Sequence, residues 1–213
     1  MLSSRIDDIL SRLHELQAEL ESEIDRLLSE KRELFRYTLE QGKVRFEQSM
    51  RALQQRQKVG VWAYLRTAQL GHVLTAPVIY SLIVPFVLLD IGVTTYQHIC
   101  FRVYGIPRVL RVEYFVIDRQ HLAYLNAIEK FNCIYCGYIN GLIEYVREIS
   151  ARTEQYWCPI KHARRTPDPH RRVGQFVDYG DAEAYRDRLR ELQKEVANSN
   201  TAASQVSADG PDA

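Results

Sequence analysis

From Thr67 to Leu89 the chain carries no Asp, Glu, Lys or Arg. The middle of this run, VLTAPVIYSLIVPFVLL, is almost wholly apolar, and after Asp90 a second uncharged stretch, IGVTTYQHICF, carries it on to Phe101. Such a run must be covered by lipid or by a protein core. The uncharged stretch as far as Leu89, built as a helix, would measure about 34 Å against a hydrocarbon layer of about 30 Å, so its length permits one crossing. Two features oppose a plain crossing. Pro77 and Pro85 each remove a rung of the helical ladder, and Asp90 would cost about 2.5–3.5 kcal/mol at the bilayer centre.

The flanks bear on topology. Arg51, Arg56, Lys58 and Arg66 precede the run, and Arg102, Arg108 and Arg111 follow it. The more positive flank of a single span stays in the cytosol, but here the two flanks are alike. Both are therefore expected on one side, the cytoplasmic face of an inner (cell) membrane of bacterial type. The segment would dip in and return near Pro85–Gly92; a single span and a buried core helix are the alternatives. The first thirty residues mix Arg, Asp and Glu with Leu and Ile and hold no continuous apolar stretch of the kind a secretory signal needs.

Residues 1–58 read as a long helix. Ile6, Ile9, Leu13, Leu16, Leu20, Leu27 and Leu34 recur at steps of three and four, blurred once at Glu23/Ile24, with charged residues between them. This predicts a coiled-coil arm and a homo-oligomer built through it; docking of the helix on its own chain is the alternative. Ser3 or Ser4 would cap its start, and Asp7 and Asp8 suit its first turn. Tyr37, Val44, Phe46, Met50 and Leu53 prolong the seam, with Gly42 as a soft point.

Further on, RVEYFVID at 111–118 and RVGQFVDY at 172–179 alternate like short strands that could pair. Between them two helices are expected, about 119–132 and 140–156, separated at Gly137–Gly141 by a turn or a close helix contact. A charged helix at 181–196 would begin with Asp181 as its cap, and the small polar residues from Ala197 on should be disordered. The expected fold is thus mainly α. It has a coiled-coil arm (1–58), a Pro-interrupted membrane-associated segment, re-entrant or single-span (59–110), and a Cys/His helical domain with two short strands (111–180). An amphipathic charged helix (181–196) and a tail (197–213) complete it.

Chemistry points first to the cysteines. Four are too few for a disulfide scaffold in 213 residues. Cys133 and Cys136 form a Cys-x2-Cys pair, and Cys158 and His162 follow. Three thiolates and an imidazole satisfy a tetrahedral structural zinc, with iron or an iron–sulfur centre as the alternative. An unbroken helix over 140–156 would hold the two pairs apart. In that case Asp118, His121 and Cys100 become possible second-site ligands. A dithiol redox pair and inert buried thiols are the other readings.

The second feature is KHARRTPDPHRR at 161–172. Lys161, Arg164, Arg165, Arg171 and Arg172 form a basic loop suited to anionic lipid head groups. A solvated loop and nucleic acid compete, but the run lacks the interleaved aromatics that stack bases, so nucleic acid is the weaker partner. With 28 basic and 27 acidic residues, net charge selects no partner. No phosphate loop, nucleophile elbow or His-Glu-x2-His is present, and no small-molecule substrate suggests itself.

The stretch DRQHLAYLNAIEKFNCIYCGYINGLIEYVREISARTEQYWCPIKHARR, with LTAPVIYSLIVPFVLLD and VYGIPRV upstream, resembles a family of small, uncharacterised proteobacterial predicted membrane proteins over roughly 60–165. The resemblance implies membrane association and no activity. Together these readings predict a membrane-attached interaction or scaffold protein with a structural metal site rather than an enzyme. A metal- or thiol-dependent redox protein or enzyme, or a nucleic-acid-associated factor, are the rivals.

Overall fold

The structure, a computed structural model, describes residues 2–40, 43–164 and 166–206. It is mainly helical and divides into two compact units: Met1–Thr67 with Asp118–Phe131, and Ala68–Ile117 with Asn132–Ala213.

The first unit opens with α1 (Leu2–Leu34). The helix stops because Arg36 turns into the left-handed region at φ 50°, where no helix continues. Strands β1 (Tyr37–Glu40) and β2 (Lys43–Phe46) then pair antiparallel, with the rings of Tyr37 and Phe46 facing each other at 5.4 Å. The arm is therefore not one helix over 1–58: the seam residues after Leu34 belong to a hairpin and to α2 (Gln48–Arg56). Gly42, read as a soft point, lies outside the described residues, as do the side chains of Ser3, Ser4, Asp7 and Asp8. Helix α3 (Val61–Thr67) follows. The unit is completed by 118–131, whose Ala123 N–H bonds to Gln54 Oε1 at 3.1 Å.

The second unit begins with the apolar run. Helices α4 (Leu70–Ser81) and α5 (Ile83–Tyr96), a π-helical turn at Gln97–Phe101 and α6 (Arg102–Tyr104) follow one another as a single helical stretch of 35 residues. Pro77 sits inside α4, and Pro85 falls in the first turn of α5, where its missing N–H matters least. No return occurs near Pro85–Gly92. The stretch ends at Gly105, with φ 70°, where the Ile106 N–H reaches back to Phe101 O at 2.9 Å and Ile106 is buried. This is a Schellman ending, and it turns the chain into a strap, 106–117, that runs back along α5.

Helix α7 (Ala127–Trp157) is one unbroken element. Asn126 caps it: its side chain accepts from the N–H groups of Ile128 and Glu129, and Glu129 accepts from the Asn126 N–H at 2.9 Å. These reciprocal bonds form a capping box. The two helices expected at 119–132 and 140–156 are thus replaced by one. Gly137 and Gly141 do not break it, because they serve the close-contact role instead. A Cβ on Gly141 would lie 2.8 Å from Tyr114 O, and one on Gly137 3.4 Å from Val116 O. The strap lies directly on this glycine face.

For that reason 111–118 is not a strand. Arg111–Glu113 make a short 3-10 turn, and Tyr114 and Phe115 pack into the core. In 172–179, Val173–Gln175 form another such turn, and only Val177 bridges, to Ile160. Helix α8 (Ala182–Val206) starts with the expected cap, the Ala184 N–H bonding to Asp181 Oδ1 at 2.9 Å. It runs past Ala197, where disorder was expected; residues 207–213 lie outside the described residues. Phe101, Ile106, Val109, Leu142, Tyr145, Ile149 and Val196 form the core of this unit.

Candidate functional site

The apolar helix is the most unusual surface of the molecule. Leu70–Tyr104 is long and apolar enough to cross a membrane, and no part of its most apolar window is buried within the chain. Leu74, Val78 and Leu88 are 68, 67 and 64 % exposed. Burying apolar surface is worth about 25 cal/mol per Å², so a face of this kind is costly in water. Tyr80 and Tyr135 stand at its side, their rings 5.7 Å apart, and the Tyr135 hydroxyl donates to Ile79 O at 2.5 Å.

Asp90, the one Asp, Glu, Lys or Arg in 67–101, is turned away from this surface. Both terminal nitrogens of Arg111 bond to its carboxylate, one at 2.9 Å; the Tyr138 hydroxyl donates at 2.9 Å and Thr94 at 3.2 Å. The Arg111 guanidinium lies 4.2 Å over the Phe115 ring and 5.4 Å from that of Tyr145, a placement that favours a planar cation. Burial, then the bond to Asp90, push the Tyr138 phenol up to about 12, so it remains a donor. Behind this cluster buried Gln97 donates to Tyr145 Oη and accepts from the Val109 N–H at 3.0 Å. Asp90 and Gln97 thus each meet partners on both the strap and α7.

A second polar network clamps the loop after α7. Glu148 accepts from Arg152 Nε at 2.8 Å and from Arg172 Nη2 at 2.8 Å. Arg152 also reaches Pro107 O at 2.7 Å, and Arg172 reaches Gln155 Oε1 at 2.7 Å. Burial raises the Glu148 carboxyl, but the Arg152 and Arg172 guanidinium groups outweigh it and hold the group below its ordinary value. His170 bonds to Glu154 at 2.8 Å.

The Cys/His set does not assemble within one chain. Cys133 and Cys136 lie inside α7, whereas Cys158 follows its last turn, its N–H still bonded to Glu154 O at 2.7 Å. An axial run of about 33 Å therefore separates Cys136 from Cys158 and His162. Asp118 and His121 belong to the first unit, Cys100, Cys158 and His162 to the second. His121 lines a shallow pocket with Gln120, Arg51 and Lys130. Among the described residues no three His, Cys, Asp or Glu side chains converge as metal ligands, and the four cysteines are free thiols.

The basic loop is only partly open. Arg172 is engaged by Glu148 and Gln155, and Lys161 by Asp178 at 2.8 Å. Arg164 and Arg171 are exposed, and Arg165 lies outside the described residues. Sequence reasoning named Arg111 only as a flanking charge and missed Tyr138 and Glu148. The signal for Arg111 was Asp90 itself, since a carboxylate in an apolar run demands a partner.

Comparison with protein families, curated proteins and solved structures finds no match to this chain.

Proposed function

We propose that this chain is a membrane-attached interaction or scaffold protein that enters one face of the bilayer through Leu70–Tyr104 without passing to the other. The apolar helix carries this reading: among the described residues nothing buries its most apolar window, and Asp90 faces protein. The bond between Ala123 and Gln54 supports a one-sided attachment, because the chain before the helix and the chain after it meet in a single compact unit. The return is made by the strap rather than by a bend inside the apolar run. Free thiols suit a reducing compartment, so we assign both flanks to the cytosolic side.

The test is carbonate and detergent extraction of the full chain, with impermeant thiol labelling of Arg56→Cys and Arg108→Cys in intact cells, in a background lacking the native cysteines. The protein should leave the membrane only with detergent, and both sites should label only after permeabilisation. Labelling of one site alone in intact cells would make the protein a transmembrane one. Recovery as a soluble species without detergent would end the membrane reading altogether.

A further inference from the structure

Helix α1 presents a seam that nothing covers among the described residues. Ile9, Leu13, Leu16, Leu20, Ile24, Leu27, Lys31 and Leu34 follow one another at steps of four, three, four, four, three, four and three. All the apolar members are exposed, Leu16 to 65 % and Leu34 to 69 %. The doubled step of four at Leu16–Leu20–Ile24 is a stutter, which loosens supercoiling locally and leaves the seam continuous. Counted as one seam, it includes Ile24, and Glu23 moves to its edge.

We infer that the occupant of this seam is the same seam of a second copy, lying parallel and in register. Identical residues then meet across a two-fold axis, as a self-complementary stripe allows. Lys31 decides the arrangement. It is the one polar residue on the described seam, and in a parallel pair a side chain at such a position packs beside the partner's preceding residue, here Glu30. Each copy therefore sets a cation against an anion of the other, twice per dimer, while a shifted register would lay Lys31 against leucine. A lysine at one inner position is also a known means of fixing register at some cost in stability. The seam from Ile9 to Leu34 is about 38 Å long, so the pairing would run along several turns of each helix.

This assembly stands whether or not the apolar helix enters lipid. It is tested on the full chain in mild detergent by light scattering with the detergent mass subtracted. The native chain should be dimeric at micromolar concentration, and a monomer would overturn the inference. Lys31→Glu should associate about tenfold more weakly while Lys31→Leu associates at least as tightly as the native chain; equal association of all three would overturn the Lys31–Glu30 pairing. Orientation is read by mixing Leu13→Cys and Leu27→Cys copies in a background lacking the native cysteines. Parallel helices give only like-with-like disulfides, and a disulfide joining the two variants would show an antiparallel pair instead.

Discussion

Arg111 closes its guanidinium fork on the carboxylate of Asp90, the one Asp, Glu, Lys or Arg between Thr67 and Phe101. A residue of the strap thereby satisfies the charge that the apolar helix cannot satisfy alone. Arg111 is itself held over the Phe115 ring, which leaves it less freedom to lose on pairing.

The pair should behave as a unit. Arg111→Ala leaves a largely covered carboxylate with Tyr138 and Thr94 only, and should lower unfolding free energy by about 2 kcal/mol. Asp90→Leu combined with Arg111→Leu removes both charges and should cost less than Arg111→Ala alone, as paired apolar replacement often does. Denaturant titration in detergent measures both. A double variant weaker than the single one would mean that the pair supplies net stability.

Gly141 should tolerate no side chain. A Cβ there meets Tyr114 O at 2.8 Å, a backbone atom that moves only if the strap lifts. Gly141→Ala is expected to cost about 1–3 kcal/mol. Gly137→Ala, with its nearest neighbour at 3.4 Å, should cost less, and the alanine's better helix propensity offsets part of it. Thermal melting followed by circular dichroism orders the two variants; the reverse order would mean that the strap does not rest on Gly141.

Glu148 links stability to acid. Its carboxyl titrates lower in the folded chain than in the unfolded one, so the folded state holds fewer protons. The stabilisation is complete above the ordinary carboxylate range and is lost as pH falls through the folded value. Glu148→Gln should lower stability by about 1–3 kcal/mol at neutral pH and flatten the loss on acidification. Urea midpoints measured from neutral to acid pH would show it. An unchanged acid slope in the variant would assign the acid sensitivity to other carboxylates.

How much of this was legible depended on the period of the signal. The leucine seam repeats over many residues and became a helix as far as Leu34, whereas the uncharged run became one helical stretch without the expected return. RVEYFVID misled because alternation in sequence says nothing of a partner strand; here the adjacent Tyr114 and Phe115 both turn inward while Val112 and Val116 stay exposed. Gly137 and Gly141 could be read as a turn or as a contact, and only the chain lying across them decides between these. The start of α7 was readable, since Asn126 and Glu129 stand at capping-box spacing. The distance between the cysteine pairs depended on that one helix being continuous, which two glycines within four residues made hard to foresee.

The separation along the chain between Asp90 and its partners has a consequence for biosynthesis. Arg111 lies 21 residues later and Tyr138 48 residues later. A nascent chain therefore exposes the carboxylate before either neutralising group has left the ribosome. Stable burial of α5 must wait for the downstream sequence, so chains that end before Tyr138 should be handled by the cell as unfinished.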